Sequence, residues 1–265
     1  MRIVSWNINS VRLRAPLVEQ LIDTWAPDII CLQEIKCPND SFPEKPFRKH
    51  GYSHFAINGI KGYHGVATLS RLPLTTIDQV NYCSREDGRH IAVTIDHLGA
   101  PLTIHNFYVP AGGDEPDPDI NEKFAHKLSF LSEMQARFKK AKKNSRQVLV
   151  GDLNIAPLEH DVWSSKQLAN VVSHTAIERD ELEKLRLTLD WHDIARDFIP
   201  PEEKLYSWWS YRARDWAASD RGRRLDHIWT TPAVAPHVTA FNILRDARGW
   251  ERPSDHVPVC IDLAD

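Results

Sequence analysis

The chain predicts an α/β fold, a four-layer α/β/β/α sandwich of two mixed β-sheets flanked by helices. Three observations carry the prediction. Strand-like and helix-like segments alternate in both halves of the chain, beginning with a βαβ unit. Residues 52–109 instead carry short β-branched runs separated by turn residues, the signature of hairpins. The 265 residues, 42% of them hydrophobic, suffice for a two-sheet core and show no dividing linker, so one domain over residues 1–265 is expected. Two sheets packed face to face with helices outside would cover all these elements, although their order alone also permits one open sheet.

Taken in order, Arg2–Ser5 reads as a strand, Pro16–Thr24 as an amphipathic helix, and Asp28–Gln33 as a strand buried on both faces. His54–Ile57, Gly65–Ser70, His90–Ile95 and Leu102–Val109 follow as strands, with Asn58-Gly59 and Asp87-Gly88 as turn signals. Ile120–Lys143 predicts a long helix whose terminal lysines suit the negative end of its dipole. Gln147–Val150 is a buried strand, Arg179–Leu189 a helix, and Leu225–Thr230, Val238–Leu244 and Val257–Asp262 are late strands. The stretch Asp114–Asp119 reads as an acidic, proline-broken loop.

Composition narrows the function classes. A formal net charge of −3 argues against holding a polyanion by bulk electrostatics, so any such contact must be local. Cys31, Cys37, Cys83 and Cys260 lack paired C-x-x-C spacing, which predicts reduced thiols and no zinc site. The strand-like start Arg2–Trp6 leaves no room for a secretory leader, and no apolar run is long enough to cross a bilayer. A cytoplasmic protein without membrane contact, acting as a monomer, is the expectation.

Four short strings place oxygen-bearing side chains at strand ends: Ser5–Ser10, Leu32–Lys36, Gly151–Ile155 and Pro253–Pro258. Glu34 closes the run Asp28–Gln33, so its carboxylate emerges at the sheet edge where α/β folds collect ligands, although a lone glutamate there can also simply face solvent. Asp152 and Asn154 repeat the arrangement after Gly151, where an Asx-turn is the competing reading. Asp255-His256 sets a carboxylate beside an imidazole, and both serve one site only if the chain turns at Pro253-Ser254. Asp226 lies inside the apolar run 225–229 and needs a partner, for which His256 is suited; His227 reads as a packed or exposed histidine. Oxygen donors without paired cysteines favour a hard cation such as Mg²⁺, with Mn²⁺ as substitute, and hence a phosphate ester as substrate. Tyr108, ahead of Gly112-Gly113, is a candidate donor to a developing oxyanion as well as a candidate core or rim residue.

Lys139–Arg146 reads as a solvated helix end. Residues 204–224 differ: six positive residues stand against two negative ones, a net +4, interleaved with Tyr206, Trp208, Trp209, Tyr211 and Trp216. Rings fill gaps in a base stack while guanidinium groups hold phosphate, so this segment is the candidate nucleic-acid contact, with Trp209 expected in the core.

These strings resemble the exonuclease III family of apurinic/apyrimidinic (AP) endonucleases, within the endonuclease/exonuclease/phosphatase superfamily. The match runs from Ser5 to Pro258 through S-W-N-I-N-S-V-R, L-Q-E-I-K, G-V-A, N-F-Y-V-P, G-D-L-N-I-A-P, Y-S-W-W-S-Y-R, R-L-D and S-D-H-V-P. The resemblance implies the four-layer sandwich and a Mg²⁺-dependent nuclease that cuts 5′ to abasic sites in double-stranded DNA to leave a 3′-hydroxyl. It also implies trimming of blocked 3′ ends, as exonuclease or phosphatase. Glu34 would be the principal metal ligand, shaped by Asn7, with Asp152 and Asn154 at the attacking water and Asp255 completing the acidic network. Tyr108 would contact the phosphate or leaving oxygen, and His256, oriented by Asp226, would donate to the scissile phosphate. Trp208 and Leu225 would wall a pocket for a flipped-out sugar, with Arg212, Lys61 and His64 toward DNA. Arg223 departs from the bulky apolar residue frequent at its position, which bears on lesion preference. Superfamily relatives act on other phosphate esters, and a non-catalytic damage-binding module is a further alternative, though no proposed catalytic position is vacant.

Overall fold

The structure is a computed structural model that describes residues 1–264. Its strands are β1 (Arg2–Asn7), β2 (Ile29–Gln33), β3 (His54–Asn58), β4 (Val66–Ser70), β5 (Thr76–Asp78), β6 (His90–His97), β7 (Ala100–Tyr108), β8 (Gln147–Asp152), β9 (His192–Asp193), β10 (Trp208–Trp209), β11 (Gly222–Arg223), β12 (Asp226–Thr230), β13 (Val238–Ile243) and β14 (Val259–Leu263). Helices are α1 (Val11–Trp25), α2 (Glu44–Lys49), α3 (Glu122–Phe138), α4 (Ser165–Leu168), α5 (Ala176–Arg186), α6 (Ile194–Phe198) and α7 (Trp216–Ser219).

Two six-stranded mixed sheets form, in the orders β13-β14-β1-β2-β4-β3 and β5-β6-β7-β8-β12-β9, as the α/β/β/α expectation requires. Each holds one parallel pair, β1/β2 bridged by α1 and β7/β8 bridged by α3. Alternation along the strands decides what goes where. Ile3, Ile29, Ile104, Val148, Val150 and Ile261 fill the space between the sheets. Val4, Trp6, Ile30 and Leu32 face α1. Phe107, Leu149 and Trp229 face α3 and α5. One polar pin crosses the inter-sheet core: Gln33 Nε2 donates to Asn106 Oδ1 (2.8 Å), and Asn106 Nδ2 to the carbonyls of Leu32 and Ala67.

Several boundaries shift for physical reasons. Helix α1 starts a turn early, at Val11, but its backbone leaves helical geometry at Arg14, because Pro16 has no N–H to return to the preceding turn. Helix α3 stops at Phe138, its last buried anchor, and the lysines beyond it lie in solvent as a polar run should. The expected turn at Asp87-Gly88 lies at the end of the long connection between the antiparallel partners β5 and β6, after a 3₁₀ turn at Tyr82–Ser84. The tight hairpin is Leu98-Gly99 between β6 and β7, with φ of 61° and 72°. Leucine is a poor left-handed residue, so Leu98-Gly99 lacks the usual Asn-Gly or Asp-Gly turn signal. All four cysteines are free, and among the described residues no helix is long and apolar enough to cross a membrane.

Candidate active site

The sandwich brings the ends of β1, β2, β7 and β8 to one edge, and the loop before β14 closes over them. Paired register explains the convergence: Asn7 lies level with Gln33, Tyr108 with Asp152, and Asp152 with Asp226 on the antiparallel neighbour β12. The turn expected at Pro253-Ser254 is built by Ser254, whose hydroxyl donates to the Asn7 carbonyl (2.7 Å) and accepts the His256 N–H (3.2 Å). The Trp6 indole holds the His256 carbonyl at 2.9 Å. A segment at the far end of the chain is thus pinned to the first strand.

Asn7 sits at the centre, fully buried, its Nδ2 donating to Glu34 Oε1 (3.0 Å) and to Asp152 Oδ2 (2.9 Å). The two carboxylates it joins have opposite environments. Glu34 stands in left-handed backbone (φ 50°) with Lys36 Nζ 2.8 Å from Oε2 and the Tyr108 hydroxyl donating to Oε1 at 2.8 Å. Burial pushes its carboxyl up, yet the Lys36 charge and the bonds from Asn7, Lys36 and Tyr108 prevail and hold it below the usual range. Asp152 is 1% exposed, and burial lifts its carboxyl to about 7 despite the pull of His256, with Asp226 and Glu34 adding to the rise. Burial and the adjacent Glu34 and Asp152 carboxylates push the Tyr108 phenol well above its ordinary value, so it is a neutral donor.

His256 Nδ1 donates to Asp226 Oδ2 (2.8 Å), and its Nε2 lies 3.6 Å from Asp152 Oδ2. Burial pushes the imidazole down, but Asp226 and Asp152 outweigh it and raise it to about 10, so the ring is a cation between two carboxylates. Ser207 steadies Asp226 with a 2.6 Å hydroxyl bond to the same Oδ2. The Asx-turn reading of Asp152 and Asn154 also holds: Asp152 Oδ1 accepts the Asn154 N–H (2.9 Å), while Asn154 Nδ2 donates to the Val109 carbonyl (2.9 Å). The expected metal site and the Asx-turn are one piece of structure.

The donor chemistry fits a hard cation. Asp152, Asp226 and His256 offer ligand atoms within 4.8 Å of one another, and Asp226 Oδ1 is buried without a hydrogen-bond partner. Carboxylate and amide oxygens are the donors a hard cation prefers, and Glu34 and Asn7 stand alongside. The Lys36 ammonium on Glu34 shows that this carboxylate already accepts positive charge.

The remaining expected residues surround this centre. Asp255 accepts the Asn9 amide (3.1 Å) and the Trp208 indole N–H (2.9 Å), so it aims an aromatic wall from the rim. Trp208, Trp163, Val171, Val172, Arg212 and Arg223 line a groove of about 1100 Å³. Leu225 is buried behind it, packed with Val162, Leu168 and Trp208. Arg223 lies over the Trp208 ring, 5.3 Å from its centroid, and donates to the Val172 carbonyl and Ser173 hydroxyl. His64 flanks Tyr108 (ring centroids 5.9 Å apart) and is kept neutral by burial and by Arg89. Lys61 is exposed in the β3–β4 loop. Trp209 is in the core as expected, and His227 is fully buried, bonded to the Ile155 carbonyl at 2.8 Å.

Sequence reasoning missed Arg89, Ser207 and the role of Lys36. Arg89 is buried, sits 5.0 Å from the Tyr108 ring centroid and contacts His64. Lys36 lies within L-Q-E-I-K and Ser207 within Y-S-W-W-S-Y-R, but neither string indicates which carboxylate the side chain meets, and Arg89 carried no local signal.

The chain belongs to the Endonuclease/Exonuclease/phosphatase family, whose model matches residues 4–256. It is similar to exodeoxyribonuclease III of Haemophilus influenzae, 30% identical over 268 residues covering 98% of each chain. Among solved structures, an AP endonuclease from Archaeoglobus fulgidus superposes with a TM-score of 0.89 at 32% identity, covering 99% of both chains. A 3′ phosphatase from Neisseria, bound to product DNA hairpin, gives 0.88 at 29% identity over the whole of both chains. The resemblance read from the strings is therefore upheld, and the chain is a hydrolase of the nuclease class that serves DNA repair.

Proposed function

We propose that this chain, as one domain and a monomer, hydrolyses the phosphodiester 5′ to abasic sites in duplex DNA, leaving a 3′-hydroxyl, and clears blocked 3′ ends with the same site. Mg²⁺ is the cation, with Mn²⁺ able to replace it. The observation that carries the reading is the row Asp226–His256–Asp152 facing Glu34, Asn7 and Tyr108 across one cleft, beside a groove rich in tryptophan and arginine.

Glu34 would hold the metal with Asn7, and Asp152, Asn154 and Asp255 would complete its acidic surroundings. When bound, the cation offsets charge on the phosphoryl oxygens. Asp152, lifted to about 7, suits a base that takes the proton of the attacking water near neutral pH. His256 presents a charged donor to the phosphate as negative charge grows there, held in orientation by Asp226 and Ser207. Tyr108 offers a neutral hydroxyl to the leaving oxygen once substrate displaces its bond to Glu34. Trp208 walls the space for an extruded sugar with Leu225 packed behind it, while Arg212, Lys61 and His64 face the duplex.

The test is an end-labelled duplex with one tetrahydrofuran abasic analogue, incubated with Mg²⁺ or EDTA beside its undamaged counterpart. The analogue cannot undergo β-elimination, so a single Mg²⁺-dependent cut 5′ to it supports the proposal. A 3′ ladder on both duplexes would make exonuclease the principal activity. Intact DNA in every lane would contradict the proposal.

A further inference from the structure

Lys127 is fully buried on α3, and its ammonium ends between two loops rather than in solvent. Its three donors meet three acceptors: the Asn154 carbonyl (2.8 Å), the Ala111 carbonyl (3.3 Å) and the carboxylate of Glu178, also fully buried. Those carbonyls belong to the segments that leave β7 after Tyr108 and β8 after Asp152. A buried Lys–Glu pair is a weak source of stability, because removing two charges from water costs about what their attraction returns. It is a strong source of direction.

Glu178 grips a third segment. Both of its oxygens accept the Ser173 N–H at 2.9 Å, and it also accepts the Thr175 hydroxyl at 2.6 Å. Asn154 and Ser173 are both non-glycine residues in left-handed backbone, with φ of 55° and 88°, a conformation that asparagine enters readily and serine keeps only where surrounding contacts impose it. Each is held by one member of the pair. Ser173 Oγ in turn accepts Arg223 Nη1 (2.7 Å), and Arg223 lies over Trp208. One buried ion pair thus stands between the hydrolytic loops and the groove wall.

We infer that Lys127 and Glu178 are positioning residues: Lys127 holds Asn154 and the loop after Tyr108 in working geometry, and Glu178, through Ser173, sets the Arg223–Trp208 wall. Neither touches substrate. The inference rests on the nuclease reading above, and its test separates the two.

Steady-state cleavage of the tetrahydrofuran duplex is compared for wild type, the charge-free double variant Lys127→Met with Glu178→Gln, Lys127→Arg, and Ser173→Ala. The double variant is expected to keep its circular dichroism and thermal midpoint while kcat falls at least about tenfold, through the Lys127 side, and KM rises severalfold, through the Glu178 side. Lys127→Arg restores the charge and the donors, and recovers most of kcat. Ser173→Ala cuts only the link to Arg223 and raises KM severalfold at unchanged kcat. A folded double variant that turns over within twofold of wild type would overturn the inference, as would a Ser173→Ala variant with wild-type KM. Should the double variant fail to fold, Lys127→Arg with the kcat loss expected of the charge-free pair overturns it instead. A wild-type chain that leaves all DNA intact would sink the nuclease reading, which no variant result can do.

Discussion

Each sheet contributes one parallel strand pair whose crossover helix packs outside, and each pair delivers one carboxylate to the site: Glu34 from β2 and Asp152 from β8. The topological slot is the same and the chemistry is opposite. Glu34 is partly exposed, paired with Lys36 and held ionised. Asp152 is sealed beneath Asn7 and His256, and burial brings it to the edge of protonation at neutral pH. Two acids whose environments drive them apart suit the proposed division of labour, one for charge and one for protons.

The largest effect that would break this contrast is removal of the buried acid. Asp152→Asn keeps the shape and one of the two accepted hydrogen bonds, from Asn7 or from the Asn154 N–H, but cannot accept a proton, so kcat should fall by about 10²–10⁴-fold. Because a desolvated carboxyl is removed, the thermal midpoint should not drop, and differential scanning calorimetry checks it. A loss of turnover accompanied by melting would make Asp152 structural.

Next comes the orienting chain. His256→Ala should cost on the order of 10²-fold in kcat by removing a charged donor. Asp226→Asn should cost less, since the imidazole remains, pinned by Trp6 and Ser254 through its backbone. If the two losses were equal, orientation and charge would be inseparable here.

The halves also differ in acid sensitivity. His90, His105 and His227 are buried in the second sheet and kept neutral by burial, His105 pushed down to about 3 and His227 to about 4. Their folded values lie below the unfolded value of about 6.5, so the unfolded chain binds more protons in acid. The stability they contribute is complete above pH of about 6.5 and is lost progressively as pH falls toward their folded values. Urea midpoints at pH 7.5 and 5 should therefore drop in wild type, and drop less in a folded His105→Gln variant. The smallest effect belongs to the rim. Arg212→Ala should weaken DNA binding a few-fold and reduce its salt slope by about 1, as loss of one phosphate contact does.

Much of the site was legible because its parts are contiguous strings at strand ends. Glu34, Asp152 and His256 each announce themselves by an acid or imidazole where an apolar run stops. Asp226 was legible because a carboxylate inside an apolar strand needs a partner, and the nearest candidate was right. What escaped depends on approach in space. Arg89 reaches Tyr108 only because β6 pairs with β7, Ser207 reaches Asp226 across a loop, and Lys127 reads as one more lysine on an amphipathic helix. The left-handed backbone of Glu34 and Ser173 also had no signal, since neither is glycine or asparagine and tertiary contacts impose it, whereas Asn154 is of a type that enters it readily.

The most direct test of the division of labour is the Mg²⁺ activation curve of abasic-duplex cleavage for Glu34→Gln and Asp152→Asn beside wild type. The account predicts that Glu34→Gln needs at least about tenfold more Mg²⁺ and recovers much of its rate at saturation. Asp152→Asn should saturate near the wild-type concentration at a rate lowered by 10²-fold or more, in the range of a lost general base. The reverse pattern, with Asp152→Asn rescued by Mg²⁺ and Glu34→Gln indifferent to it, would contradict the assignment of the two carboxylates.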